Sequence, residues 1–213
     1  VSGVPRQDLA RVAVAQAKLL AVIQPLDDAD VRRSSRLPGW TVGHVLSHLA
    51  RNADSHRRRA EAAMENTVID QYQGGWEGRK AEIDAGADRP AAALVDDVRL
   101  SAQQMDEAWR RAPEAAWNNV TRDVGGTVRP LSDLPARRWQ ELEVHLVDLG
   151  LGATFEMWPD DFVATYLPVW RATMSGRLGG QQAPPTGLLD EREELAWLYG
   201  RLQRADLPDL TPW

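Results

Sequence analysis

The segment LPGWTVGHVLSHLARNADSHRRRAEAAM, residues 37–64, constrains this chain more than any other stretch. It breaks at Pro38-Gly39, offers Thr41 as an N-cap, and after Gly43 runs to Met64 without a helix-breaking residue. A helix of that length must bury a face against partners, so the spacing predicts helices packed on helices. Three other runs supply such partners. Pro5 followed by Leu9, Val12, Gln16, Leu19 and Ile23 forms one stripe, which ends before the acidic turn Pro25-Leu26-Asp27-Asp28. Leu94, Val98, Ser101, Met105 and Trp109 form another after Pro90, ending near Ala112-Pro113. The run LSDLPARRWQELEVHLVDLGLG forms the last, capped at Ser132 or Asp133 and stopped by Gly150 and Gly152.

Between these runs the sequence predicts a loop with a short helix over 76–84 and a hairpin about Gly125-Gly126. Beyond residue 160 it predicts a helix over 162–174, the linker GRLGGQQAPPTG, and a final helix over 190–204. The expected organisation is a helical bundle over 1–159 and a small C-terminal appendage over 160–213.

Composition narrows function by exclusion. The formal charge of -6 and the pI of about 5.3 argue against a partner rich in phosphates, so no nucleic acid is expected. The one basic run, His56-Arg57-Arg58-Arg59, reads as a solvated helix face. No apolar run is long enough to span a bilayer and no signal-peptide pattern is visible, so a cytoplasmic protein without membrane contact is expected. The chain has no cysteine, which removes protein-borne thiol chemistry. Any sulfur chemistry must come from a small-molecule thiol.

Glu141 and His145 stand four residues apart on a predicted helix and so project from one face. His44 and His48 have the same relation on the long helix. An isolated Glu-x3-His is commonly a surface pair, but Leu142, Leu146 and Leu149 turn this side of the helix inward. A buried glutamate needs a positive partner, and a divalent cation is one. One histidine of the first pair with Glu141 and His145 gives a two-histidine, one-carboxylate set, which leaves zinc a position for water or substrate. His44, a turn from the N-cap, is the more readily explained as a supporting residue. Asp148 is placed to accept the second ring N–H of His145 and hold the metal-binding tautomer, or else to cap a surface turn.

At these residues the chain resembles the mycothiol-dependent maleylpyruvate isomerase family, whose N-terminal domain is a DinB-like metal-binding four-helix bundle. The likeness is carried by LPGWTVGHVLSHLARNAD (37–54), WQELEVHLVDLG (139–150) and AWLYGR (196–201). It implies a mainly α fold with zinc ligands at His48, Glu141 and His145, and an active-site arginine at Arg201. Against that family the C-terminal appendage looks shortened across the linker from Gly176 to Gly187. The implied chemistry uses mycothiol, or another small thiol, whose thiolate adds to a small electrophile. Elimination of the thiol completes a cis–trans isomerisation; its retention makes the protein an S-transferase. A metal-dependent hydrolase that activates water is the alternative, as is a non-enzymatic metal-binding stress protein.

Overall fold

The computed structural model of the protein describes residues 3–211. In chain order its helices are α1 (Arg6–Ile23), α2 (Asp28–Arg32), α3 (Val42–Met64), α4 (Gly75–Ala87), α5 (Ala91–Arg111), α6 (Leu134–Asp148), α7 (Asp160–Arg171), α8 (Met174–Arg177) and α9 (Glu191–Leu198). Strands β1 (Val120–Arg122) and β2 (Val128–Pro130) pair antiparallel, with Thr121 opposite Arg129. The chain divides into two compact units between Leu151 and Gly152. Residues 152–159 thus belong with the C-terminal region, because Trp158 meets Phe162 at a tilt and Tyr199 edge to face in its core.

Among the described residues the fold is mainly helical. The four long helices of the first unit form a bundle in which α1 packs on α5 and α6, and α3 packs on the same two. Periodicity explains the choice of faces: α1 buries Val12, Ala15, Leu19 and Ile23, and α5 buries Leu94, Val98, Ala102, Met105 and Trp109. The start of α3 is fixed by a reciprocal cap, in which the Thr41 hydroxyl accepts from the His44 backbone N–H and His44 Nδ1 accepts from that of Thr41. Helix α2, read from sequence as a turn, is closed by a similar box between Asp27 and Asp30. Its five residues are too few to show a period.

Two contacts set the position of the helices around α3. On one side α4 lies so close that a Cβ on Gly43 would sit 2.3 Å from the Ala87 carbonyl oxygen, and one on Gly86 would sit 2.3 Å from Ser47 Oγ. The Ser47 hydroxyl completes the join by donating to the Ile83 carbonyl at 2.9 Å. On the other side Arg138, fully buried on α6, donates to the Leu49 carbonyl and Asn52 Oδ1 of α3 and to Gln16 Oε1 of α1. Removing such a cation from water is costly, and these bonds are what compensate it. They also fix the rotation of α6, so that Glu141 and His145, one and two turns further on, face α3.

The basic run on α3 is not the solvated face expected of it. His56 and Arg59 are buried, and only Arg57 and Arg58 are partly open. The bundle encloses α3 on several sides, which overrides the local charge pattern.

In the C-terminal unit, Trp158, Phe162, Tyr166, Trp170 and Tyr199 form an aromatic cluster. Helix α9 stops at Leu198, short of the expected 204, because Gly200 takes a φ of 74°. The Arg201 N–H then returns to the Ala196 carbonyl and that of Gly200 to Trp197, which closes a Schellman turn. Among the described residues, no helix is long and apolar enough to cross a membrane.

Candidate metal centre

Helix α3 contributes His48 and α6 contributes Glu141 and His145 to one cluster. His48 Nε2 lies 2.8 Å from Glu141 Oε2 and 3.0 Å from His145 Nε2, and the third side, His145 Nε2 to Glu141 Oε2, is 3.2 Å. The imidazoles meet edge to face, with centroids 4.6 Å apart. Both histidines are buried, while the Glu141 side chain keeps 29% exposure and opens the cluster on one side.

This triangle suits a small divalent cation. Three donors at roughly 2.0–2.1 Å from a tetrahedral zinc would stand about 3.3 Å apart, close to the spacings found. Two ring nitrogens and a carboxylate oxygen are also a donor set that borderline-soft metals accept. Asp148 Oδ2 lies 2.8 Å from His145 Nδ1. A carboxylate only accepts, so Asp148 keeps a proton on Nδ1 and leaves Nε2 as the nitrogen that faces the cluster.

Electrostatics separate the three groups. Burial pushes the His48 imidazole down to about 4, against the hydrogen bond it donates to Glu141. Burial pushes Glu141 up, but hydrogen bonds from His145 and His48 outweigh it and hold the carboxyl well below its usual range. For His145, burial pushes down while the bonds to Asp148 and Glu141 win and raise it above its ordinary value. At neutral pH the cluster therefore holds an ionised carboxylate and a neutral His48.

Of the other residues singled out in the sequence, His44 bonds to Thr41, with its ring nitrogen 2.8 Å from the hydroxyl, and stacks on Trp40. Trp40 in turn leans on His48 at 5.8 Å, so His44 meets the cluster only through that indole. Arg201 lies in the C-terminal unit, where its guanidinium donates to the Tyr199 carbonyl. Two residues beside the cluster were not anticipated. Arg79 of α4 donates through Nη2 to His48 Nδ1 at 3.2 Å, and Tyr72 is buried just before α4. Tyr72 falls in the stretch read as a Gly-rich loop and Arg79 in the short helix expected over 76–84, where Trp76 and Arg79 share the i, i+3 spacing of a helix face.

No curated protein matches the chain. The crystal structure of a mycothiol-dependent maleylpyruvate isomerase superposes with a TM-score of 0.86 at 22% identity, over 98% of this chain and 97% of that one. A histidine-to-alanine mutant of a mycothiol-dependent maleylpyruvate isomerase superposes equally well, with a TM-score of 0.86. At that coverage the C-terminal region is matched in length too, so the shortening expected at the linker does not appear against these structures. The family model described as the mycothiol maleylpyruvate isomerase N-terminal domain matches residues 12–150, which is the bundle with all four long helices. On that match the chain belongs to the mycothiol-dependent maleylpyruvate isomerase family.

Proposed function

We propose that the protein is a metal-dependent isomerase of a small unsaturated electrophile, with zinc held by His48, Glu141 and His145 and a small thiol, mycothiol in the first instance, as cofactor. The observation that carries this reading is the convergence of three donor atoms from two helices within 3.2 Å of one another, on a side chain set open to solvent through Glu141. Three protein ligands leave room for an exogenous one, which a purely structural site does not need. Bound there, zinc would supply the Lewis acidity that shifts a thiol toward its nucleophilic thiolate at neutral pH.

The chain's own residues prepare that site. Asp148 holds His145 in the tautomer whose Nε2 lone pair faces the cluster. Glu141 contributes a single negative charge, so two neutral imidazoles and one carboxylate leave a divalent ion with net positive charge. Trp40 covers the flank of His48 with an apolar wall, which keeps the dielectric low where charge develops. The absence of cysteine is consistent with a thiol brought in from solution.

Elemental analysis of the purified protein, calorimetric titration of mycothiol, and the loss of maleylpyruvate absorbance with and without thiol together test the reading. One zinc per chain, thiol binding that disappears in His48→Ala, and thiol-dependent isomerisation are expected. Zinc without thiol binding would turn the assignment toward a hydrolase, and a stable thiol adduct in place of turnover would turn it toward an S-transferase. A protein that takes up no divalent metal even on reconstitution would overturn the proposal.

A further inference from the structure

Arg79 occupies an unusual position. It stands on α4, its guanidinium lies over the Trp76 ring at 5.8 Å, and it reaches inward to His48 Nδ1, on the side of the imidazole opposite the cluster. Trp76 itself is 61% exposed, so the arm runs from the surface to a buried metal-ligand candidate. Among the described residues Arg79 forms no ion pair with a carboxylate, whereas most arginines of the bundle do.

The contact with His48 is also chemically provisional. A guanidinium only donates, so Nδ1 must accept and the proton of a neutral His48 ring must sit on Nε2. Coordination through Nε2 puts that proton on Nδ1 instead, and two donors then face each other. Arg79 must then turn away from the ring, and it holds no carboxylate in the arrangement described.

A second orphan lies in the same segment. Tyr72 is 1% exposed and its hydroxyl meets no hydrogen-bond partner. Its polar neighbour is the Ser55 hydroxyl, which is shared with the Asn52 carbonyl and Gln71 Nε2, so that Tyr72 gains no well-aligned bond there. Tyr72 has Glu141 and Arg79 among its electrostatic neighbours, and burial, followed by the Glu141 charge, pushes its phenol up so that it stays a neutral donor. A buried hydroxyl without a well-aligned acceptor is costly, and an incoming acceptor removes that cost.

We infer that Arg79, with the Tyr72 hydroxyl beside it, is the subsite that receives a carboxylate group of the small electrophile. This rests on the metal reading above, because metal coordination by His48 is what releases the guanidinium. A carboxylate with a planar pair of oxygens matches the fork of the arginine, and Trp76 supplies an apolar face for the carbon chain next to it.

The test uses the zinc-loaded protein and maleate as a carboxylate probe, with dimethyl maleate as the uncharged control, titrated calorimetrically without any thiol. Arg79→Met should weaken maleate binding by about 10- to 100-fold, Arg79→Lys should recover part of it, and the ester should distinguish none of the proteins. Tyr72→Phe should weaken maleate several-fold while changing Tm little, since the hydroxyl meets only the already shared Ser55 oxygen. Zinc content and mycothiol affinity are read in parallel. Unchanged maleate affinity in Arg79→Met, with zinc and thiol binding intact, overturns this subsite alone. Loss of zinc in Arg79→Met also overturns it, because Arg79 would then be a support for His48. A wild-type protein without zinc overturns the metal reading and this inference with it.

Discussion

His48 and His56 stand two turns apart on α3, each 1% exposed and each with an imidazole that burial drives toward the neutral form. Their surroundings nonetheless have little in common. His48 has Glu141, His145 and Arg79 within hydrogen-bond distance. His56 leaves Nδ1 without a partner and meets the edge of Trp109, centroids 5.8 Å apart. Eight residues at 100° each turn the helix by about 80° beyond two full turns, so the two rings face different neighbours. His48 looks to α6, which brings a carboxylate and a second imidazole, and His56 looks to α5, which brings an indole. Residue type and burial are therefore equal at the two positions, and the facing helix alone makes one a candidate ligand and the other a core histidine.

That contrast is most sharply broken by removing what α6 supplies. Glu141→Gln keeps the shape of the side chain and deletes its charge, leaving two imidazoles and a neutral amide at the cluster. Zinc affinity should fall on the order of 1,000-fold or more, as measured by competition with a coloured chelator, and thiol-dependent turnover should fall with it. If Glu141→Gln holds zinc as tightly as the wild type, the carboxylate is not what separates His48 from His56.

A smaller effect is expected one shell further out. Asp148→Asn leaves an acceptor for His145 Nδ1–H but removes the charge that secures the tautomer and raises the basicity of the ring. Zinc affinity should drop by about 10- to 100-fold in the same competition assay, with the helix content by circular dichroism unchanged. An unaltered affinity would mean that packing, rather than Asp148, orients His145.

Much of this was legible in the sequence because helical spacing is local information. The four long helices, the cap at Thr41 and the i, i+4 placement of Glu141 and His145 all follow from residue order within one element. What the period does not carry is which element will face which. Residue order does not distinguish Arg138 from its neighbour Arg137, yet Arg138 is the buried clamp that turns Glu141 and His145 toward α3. His56 and Arg59 read as part of a basic face, and the bundle buries both. Tyr72 lies in the expected loop and Arg79 on the short helix expected over 76–84, and both gain meaning only once Gly43 and Gly86 let α4 close on α3. Tertiary packing won over local pattern in each case.

The smallest effect concerns the other histidine, and it follows from a sign. The folded-state pKa of His56 lies well below its ordinary 6.5, chiefly through burial and then through the charges of Arg59 and Arg138. Below pH 6.5 the unfolded chain therefore binds a proton that the folded chain refuses, so stability is present above 6.5 and lost as pH falls. One such proton amounts to about 1.4 kcal/mol per pH unit. His48 acts in the same direction, with its folded value near 4, and His145, raised above 6.5, acts in the opposite one. Comparison at saturating zinc makes those two contributions common to both proteins. His56→Phe preserves an aromatic ring against Trp109 and removes the orphaned Nδ1, so its stability at pH 7.5 should lie within about 1 kcal/mol of wild type. Below pH 6.5 the urea-unfolding curves should diverge by about 1.4 kcal/mol per unit in favour of His56→Phe. Parallel curves down to pH 5 would mean that His56 takes up a proton in the folded state, and that a counter-charge exists near α5 which makes the two histidines of α3 more alike than their neighbours indicate.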